Sequence, residues 1–146
     1  MMALSAKVSV EDVIRNAGLR ATSHRKLILK AISDLNRPVT AYELVSLLGK
    51  KTNIDQATIY RNFVSLRRAN LLRRLDFNHG HAHYELETGK ASNQLVCNLC
   101  ETVEKIDGIS METAVKKILR KSKKFKDVTL QSVELYGLCR TCAHVR

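Results

Sequence analysis

The sequence has little of what flexible, secreted or membrane-spanning chains contain. One proline and six glycines among 146 residues leave little room for disordered linkers. No apolar run approaches the length of a membrane span. The start, Met1 to Lys7, has no apolar signal-peptide core. These absences predict a cytoplasmic protein with no membrane partner.

Acidic residues are the second shortage. Fourteen Asp and Glu stand against 25 Lys and Arg, so the formal net charge is +11 with histidine neutral. A basic protein of this size most often binds nucleic acid, because phosphates attract lysine and arginine. Charge alone leaves the alternative of a basic surface that only keeps the protein in solution.

Cysteine is scarce, and all four cysteines fall in two Cys-x-x-Cys pairs, Cys97 with Cys100 and Cys139 with Cys142. A two-residue spacer lets both sulfurs of a pair turn inward, and four thiolates match the tetrahedral ligand set of a structural zinc ion. A reducing compartment disfavours disulfides, which also favours metal. We therefore expect structural Zn²⁺ as a cofactor.

A zinc-dependent enzyme or a thiol redox protein is the alternative from another class. Catalytic zinc needs an open coordination position, and four cysteines leave none. Redox use of Cys-x-x-Cys needs a free pair of low pKa. No nucleophile–base constellation is visible in the sequence. The chain is therefore interpreted as a non-enzyme, with no catalytic residue.

Helix signals fill the first half of the chain. Ser9 begins a short helix that Gly18 ends, and Thr22 or Ser23 begins a second helix that stops at Asn36.

A capping box of Thr40 and Glu43 predicts a third helix, closed by Gly49. Its inward residues are predicted to be Leu44, Val45, Leu47 and Leu48.

Asp55 caps a fourth predicted helix, from 56 to about 70. Helical spacing places three apolar residues on its inner stripe: Ile59, Phe63 and Leu66. The opposite face is small and basic, with Ala57, Thr58 and Arg61. Such a face suits the major groove, where arginine pairs with guanine and a methyl group contacts thymine.

Residues 71–77 and 81–86 predict a β-hairpin with Gly80 in its turn. Three short helices, a capped fourth helix and a basic hairpin predict a winged helix-turn-helix. Arg73 and Arg74 on the wing are expected at phosphate or the minor groove. The alternative is a small helical domain with a solvated charged face.

The pattern changes after a predicted hinge at 88–92, which separates a DNA-binding domain, 1–87, from a second domain, 93–146. A strand from Leu95 to Ile106 is expected to hold the first cysteine pair. Ser110 is expected to cap a helix, and a strand from Val128 to Tyr136 should precede the second pair. The inward residues of the helix are predicted to be Met111, Val115, Ile118 and Leu119. The overall class is α+β, with a small α/β domain stapled by the Cys₄ zinc.

Over most of its length the chain resembles the ferric uptake regulator family of bacterial metal-responsive repressors. The residues that carry the resemblance are Gly18-Leu-Arg-Ala-Thr22 with Arg25, Ala57-Thr-Ile-Tyr-Arg61, Tyr84-Glu-Leu86, the first cysteine pair, and Leu135-Tyr-Gly137 before the second.

The resemblance implies a homodimer that binds a palindromic operator in double-stranded DNA through its winged helices. It implies a C-terminal dimerisation domain, a structural Cys₄ zinc, and a separate regulatory metal between the domains. Carried over by position, Arg20, Tyr60 and Arg61 would contact DNA, and Glu85 would match the acidic hinge ligand.

The sequence departs from the family at the expected sensory histidines. The run 91–94 before the first cysteine pair contains none, and family histidine positions are occupied by Pro38 and Gln131. Glu112 remains, but alone.

Other histidines occur on the hairpin, at His79, His81 and His83, followed by Glu85. Strand alternation places His81, His83 and Glu85 on one face. We hypothesise a regulatory site for Zn²⁺, Fe²⁺ or Mn²⁺ at these four residues. The alternative is polar wing residues that contact phosphate or water.

Two functions follow from these patterns. One is a dimeric, metal-responsive transcriptional repressor with its regulatory site relocated to the wing. The other is a DNA-binding regulator that has lost metal sensing and keeps only structural zinc.

Overall fold

The structure, a computed structural model, describes residues 8–90, 92–129 and 131–144. Outside these ranges lie the start of the chain, Ala91 of the predicted hinge and Leu130 of the predicted last strand. The chain divides into two compact units between Thr88 and Gly89. No helix in the described ranges is long and apolar enough to cross a bilayer.

The first unit contains four helices and a two-stranded hairpin. They are α1 (Val10–Asn16), α2 (Ser23–Leu35), α3 (Ala41–Thr52), α4 (Gln56–Arg68), β1 (Leu72–Asp76) and β2 (Ala82–Leu86). The second unit contains β3 (Ser92–Cys97), β4 (Val103–Ile106), α5 (Glu112–Lys121), β5 (Ser132–Gly137) and α6 (Arg140–Ala143).

The first four helices begin where their capping residues predict. In each, the capping side chain accepts a hydrogen bond from the backbone N–H three residues later; the caps are Ser9, Thr22, Thr40 and Asp55. The capping box of α3 is complete, because Glu43 Oε2 also accepts from the Thr40 N–H at 2.8 Å. Such caps satisfy backbone donors that a helix start leaves without partners.

The predicted end of α3 at Gly49 is wrong. The helix continues to Thr52, and Asn53 ends it in the left-handed conformation with a φ of 50°. Asparagine tolerates this conformation, and two lysines in the last turn favour the negative end of the helix dipole. These terms let the helix pass through Gly49 despite its poor helix propensity.

The core of the first unit lies where the apolar stripes of α2, α3 and α4 meet the hairpin. Its most buried residues include Ile28, Leu29, Ile32, Leu44, Ile59, Phe63 and Leu66. The ring of Phe63 stacks on Tyr84 of β2 with centroids 4.1 Å apart. Leu47 was predicted to face inward but is 50% exposed, because the inner stripe of α3 continues through Leu44 and Leu48 instead.

The hairpin, residues 72–86, is the wing. Its strands are antiparallel, and the register pairs Leu72 with Leu86 and Asp76 with Ala82. Val39 exchanges two backbone hydrogen bonds with Tyr84, at 2.9 and 2.8 Å, so the segment before α3 adds a bridge to the wing. Helices α2 to α4 with this wing form a winged helix-turn-helix.

The second unit is a three-stranded sheet in the order β4-β3-β5, with β3 antiparallel to β4 and parallel to β5. The single strand predicted from Leu95 to Ile106 is therefore wrong. The first cysteine pair turns the chain back between β3 and β4, with Glu101 at a φ of 60°. A reversal at the metal-binding pair converts the expected strand into a hairpin.

Three further details of the second unit differ from expectation. Ser110 is not the cap of α5, whose cap position is Met111 without a capping side chain. No residue of α5 is buried, and Ile118, predicted to face inward, is 64% exposed. The last strand is also shorter than predicted, since β5 begins at Ser132. The unit buries few apolar side chains by itself.

We expect Phe63→Ala to lower the unfolding free energy of the first unit by about 3–5 kcal/mol, the usual cost of removing a buried aromatic ring. Phe63 is fully buried, whereas Val64 beside it is 45% exposed. The control Val64→Ala should change stability by less than about 0.5 kcal/mol. Urea unfolding followed by circular dichroism at 222 nm measures both, and equal losses would contradict the assigned core.

Candidate metal centres and nucleic-acid interface

The two cysteine pairs meet in the second unit. One pair lies in the turn after β3 and the other at the start of α6, which parallel pairing of β3 and β5 brings side by side. The four sulfurs of Cys97, Cys100, Cys139 and Cys142 all lie within 4.8 Å of one another. The sulfurs of Cys100 and Cys139 are 3.6 Å apart. A tetrahedral zinc ion with Zn–S bonds of about 2.3 Å places sulfurs about 3.8 Å apart, so the spacing fits zinc.

Backbone N–H groups already favour charge on part of this cluster. Hydrogen bonds from Cys100, Cys139 and Leu99 lower the pKa of Cys97 to about 6. Hydrogen bonds with Thr102 lower the pKa of Cys100, the bond to its hydroxyl having the larger effect and the bond to its backbone N–H the smaller. Both sulfurs are thus prepared to ligate as thiolates, the form that binds metal.

The fourth thiol shows why a cation is needed. Hydrogen bonds with the Cys139 and Cys100 sulfurs, and then burial, raise the pKa of Cys142 to about 12. Because adjacent thiolates would repel one another, ionising Cys142 beside the other sulfurs is unfavourable without a cation. A bound dication would offset this repulsion and permit full deprotonation. The four-cysteine cluster fits a structural zinc ion.

A second group of metal-binding side chains lies on the wing. The ligand atoms of His79, His81 and His83 are all within 4.8 Å of one another. The ring centroids of His81 and His83 are 5.0 Å apart, and that of His79 is 5.9 and 6.0 Å from them. Phe77, fully buried, packs 4.9 Å from the ring of His83. The described residues therefore contain one imidazole cluster, on an apolar base.

The turn of the wing brings His79 into this cluster. Asn78 and Gly80 both have positive φ, 58° and 76°, and the Asn78 N–H donates to Asp76 Oδ1 at 3.1 Å. These two residues fold the turn back over the strand. The sequence hypothesis grouped His79 with His81 and His83, and the structure brings the ligand atoms of these three residues together.

Glu85 does not join the histidines. Its Oε1 accepts from Arg73 Nε at 2.7 Å and from a terminal guanidinium nitrogen at 2.6 Å. The side chains are 4% and 13% exposed, and they lie directly opposite each other in the strand register. Two predicted site residues, one for metal and one for DNA, thus bind each other. The opposite charges in cross-strand register are the signal that sequence reasoning missed.

The wing also lies close to the start of α3. Burial opposes the charge of Glu43, but the Arg37 hydrogen bond, the Thr40 N–H, and the charges of Arg37 and His83 together lower its pKa. Arg37 donates to Glu43 at 2.9 Å. The carboxylate that caps α3 is therefore held ionised near the imidazole cluster.

The predicted DNA-reading residues of α4 share its exposed side. Ala57 and Arg61 are exposed, Thr58 is half-buried, and Tyr60 is 40% exposed. An Arg61 N–H donates to the Thr58 hydroxyl at 2.8 Å, which orients the guanidinium along the helix. The ring of Tyr60 contacts Phe63 edge-on at 6.3 Å, so the core supports it. This side of α4 is accessible, small and basic.

Two more of the predicted contacts are also exposed. Arg20 lies before α2, and its carbonyl accepts from an Arg25 N–H at 2.8 Å. The Arg74 side chain is 48% exposed and lies 3.6 Å from Asp76, a surface ion pair that constrains it weakly. Among the predicted DNA contacts in the described part of the chain, only Arg73 forms an ion pair with a buried carboxylate.

A winged helix in which α4 has an exposed basic side, followed by a unit with a four-thiol metal cluster, is typical of a metal-binding transcriptional regulator. Residues 16–136 match the model of the ferric uptake regulator family. The chain belongs to this family of metal-responsive transcriptional regulators, which are not enzymes.

Relatives and solved structures agree. The chain is 33% identical over 137 residues to the ferric uptake regulation protein of Cupriavidus metallidurans, covering 90% of this chain and 93% of that protein. The Vibrio cholerae ferric uptake regulator is 29% identical with a TM-score of 0.76, covering 88% of this chain and 98% of that chain. The Pseudomonas aeruginosa ferric uptake regulator with manganese is 27% identical with a TM-score of 0.70, covering 91% and 99%.

We expect Cys100→Ser to weaken zinc retention, because a serine hydroxyl is a much poorer ligand than a thiolate and Cys100 lies in the sulfur cluster. Purified protein should fall from about one zinc per chain to well below one after mild chelation. Zinc content by a chromogenic chelator measures this. The control Thr141→Ser changes an exposed residue between two of the ligands and should retain zinc; equal loss from both variants would argue against the cluster.

Proposed function

We propose that this chain is a homodimeric repressor that reads operator DNA with α4 and stabilises its second unit with a Cys₄ zinc. The observation that carries the proposal is the exposed, basic side of α4 in a winged helix.

Base reading is assigned to α4. Arg61 has the planar donors that pair with guanine, and the Ala57 methyl can contact thymine. Tyr60 and Arg20 supply polar groups for the phosphate backbone, and Arg74 extends that contact on the wing. Arg73 contributes through the wing's internal structure instead, because its guanidinium holds Glu85.

Dimerisation is assigned to the second unit. Leu95 and Leu135 are neighbours in the parallel register of β3 and β5, and they are 42% and 58% exposed. A second copy that covers this patch would bury apolar area that the small unit leaves in water. A two-fold dimer presents two reading helices, so the operator would be an inverted repeat.

Repression follows from occupancy. A dimer seated on a promoter blocks other proteins without any further contact, whereas activation would need an additional surface for the transcription machinery. Whether the protein represses or activates is tested by placing the bound sequence between the promoter elements of a reporter gene. Reporter output should fall when the protein is expressed and recover when Arg61→Ala replaces it.

A metal-independent regulator is the second candidate. The observation in its favour is the Arg73–Glu85 pair, since a guanidinium neutralises the carboxylate that the family resemblance assigned to a metal. Zinc at the cysteines would then be the only resident ion. Metal content before and after mild chelation distinguishes the two, because a second exchangeable ion per chain contradicts this candidate.

We expect Arg61→Ala to weaken specific DNA binding by about 1–3 kcal/mol, a factor of roughly 5 to 150, and to relax preference at one base. The duplex is selected from a random-sequence pool, and fluorescence anisotropy at fixed salt gives the affinity. Arg120→Ala, an exposed arginine of α5, is the control and should lose far less. Equal losses of DNA affinity in the two variants would contradict the assignment of base reading to α4.

We expect Leu135→Glu to shift the protein from dimer to monomer, because a charge would be buried at the apolar patch. Sedimentation velocity measures the mass. Leu47→Glu is the matched control, since Leu47 is 50% exposed but lies in the first unit. A dimer that survives Leu135→Glu and dissociates with Leu47→Glu would place the interface elsewhere.

A further inference from the structure

We propose that His79, His81 and His83 form a three-histidine site for a borderline divalent cation such as Zn²⁺, complete within the wing. We further propose that occupancy of this site braces the wing for DNA. The second statement rests on the proposed function, whereas ion binding does not. The site differs from the four-residue site expected from sequence, because Glu85 is excluded and no ligand outside the hairpin is required.

The ligand spacing is close to what a zinc ion needs. The three nearest ligand atoms lie within 4.8 Å of one another. Zn–N bonds of about 2.0–2.1 Å in a tetrahedron place nitrogens about 3.3 Å apart. Side-chain rotations that move the imidazoles by about 1 Å would close this difference, well within rotamer adjustments. Three protein ligands leave a fourth position for water.

His79 supplies an independent sign of a missing partner. Both of its ring nitrogens are buried, and neither has a hydrogen-bond partner in the described ranges. A neutral imidazole carries one donor and one acceptor, and burying them without partners is unfavourable. A metal ion bound to the acceptor nitrogen would satisfy one of them. The buried, apolar side of Phe77 under the cluster would in turn shield the metal–nitrogen bonds.

The donor set selects the class of ion. Imidazole nitrogens suit Zn²⁺, Cu²⁺, Ni²⁺ and Fe²⁺, whereas Mn²⁺ and Mg²⁺ prefer carboxylate and water oxygens. The nearest candidate oxygen ligand on the same strand, Glu85, already binds two guanidinium nitrogens of Arg73. The site should therefore bind Zn²⁺ well and Mn²⁺ poorly. This ordering separates it from a mixed histidine–carboxylate site.

The location of the ligands determines what the ion could do. His79 belongs to the turn, His81 immediately precedes β2, and His83 lies inside the strand. An ion bound to all three would tie the tip of the wing to its base. It would also add positive charge to the wing, which already carries the exposed Arg74 on its other strand. Both effects favour contact between the wing and phosphate.

Ion binding is tested on the full-length protein with its cysteine zinc retained. Zn²⁺ is titrated against a competing chromophoric chelator, and one additional ion per chain is expected. His79→Gln with His81→Gln should weaken this second ion by more than about 100-fold, since loss of even outer-shell partners costs about 10–100-fold. His24→Gln, an exposed histidine of α2, is the matched control and should bind normally.

Cobalt gives a signature of the ligands. Co²⁺ added to the zinc-retaining protein should show visible bands without the near-ultraviolet charge-transfer band of thiolate ligands. Far-ultraviolet circular dichroism checks the fold of each variant, and His81→Gln alone replaces the double variant if that misfolds. Absence of a second ion, equal binding by the double variant, or a thiolate band on the added cobalt would each overturn the site.

DNA binding tests the second half of the proposal. Added Zn²⁺ should strengthen binding of a pool-selected duplex about three- to tenfold at fixed ionic strength, the effect of ordering one or two side chains in advance. The gain should vanish in the double variant. Ion binding with unchanged DNA affinity would overturn the bracing and leave the site standing. Failure to bind any selected duplex would overturn the proposed function, while the ion titration still decides the site.

Discussion

The position of Tyr84 is the constraint on which the first unit depends. Its backbone exchanges two hydrogen bonds with Val39, and its ring stacks on Phe63 of α4 at 4.1 Å. One residue therefore joins the wing, the segment before α3 and helix α4. Because Tyr84 faces the core, its strand neighbours His83 and Glu85 point to the other side of the wing. The packing of one ring thus orients the exposed side of α4 and the side of the wing that carries the histidines.

The second unit is stabilised in a different way. Few apolar side chains are buried there, and α5 has no buried residue. A small unit of this kind gains little from hydrophobic burial and needs a metal or a partner. Parallel pairing of β3 and β5 brings the two cysteine pairs together, so a zinc ion would fasten the carboxyl ends of these two strands to each other. The exposed leucines of the same strands offer the surface that a second copy would cover.

Two solutions to buried polar groups occur side by side on the wing. Arg73 and Glu85 satisfy each other, and such a pair is costly to break because either partner would remain buried and charged. The three histidines converge beside this pair, and both ring nitrogens of His79 are buried without a hydrogen-bond partner in the described ranges. The carboxylate is thus fixed by the fold, whereas the imidazoles are suited to an external cation. This difference explains why the four-residue site expected from the sequence separates into a cluster of three histidines and an ion pair between Glu85 and Arg73.

Features that depend on neighbouring residues could be predicted from sequence alone. Helix caps at Ser9, Thr40 and Asp55, the inner stripe of α4 and the paired cysteines all arise from interactions within a few positions. Features that depend on distant partners could not. Arg73 meets Glu85 through strand register, and Ile118 is exposed because no described residue of its own unit covers it. Local hydrogen bonding and helical periodicity depend on residues that are close in sequence. Strand register, chain reversal and burial depend on which segments pack together.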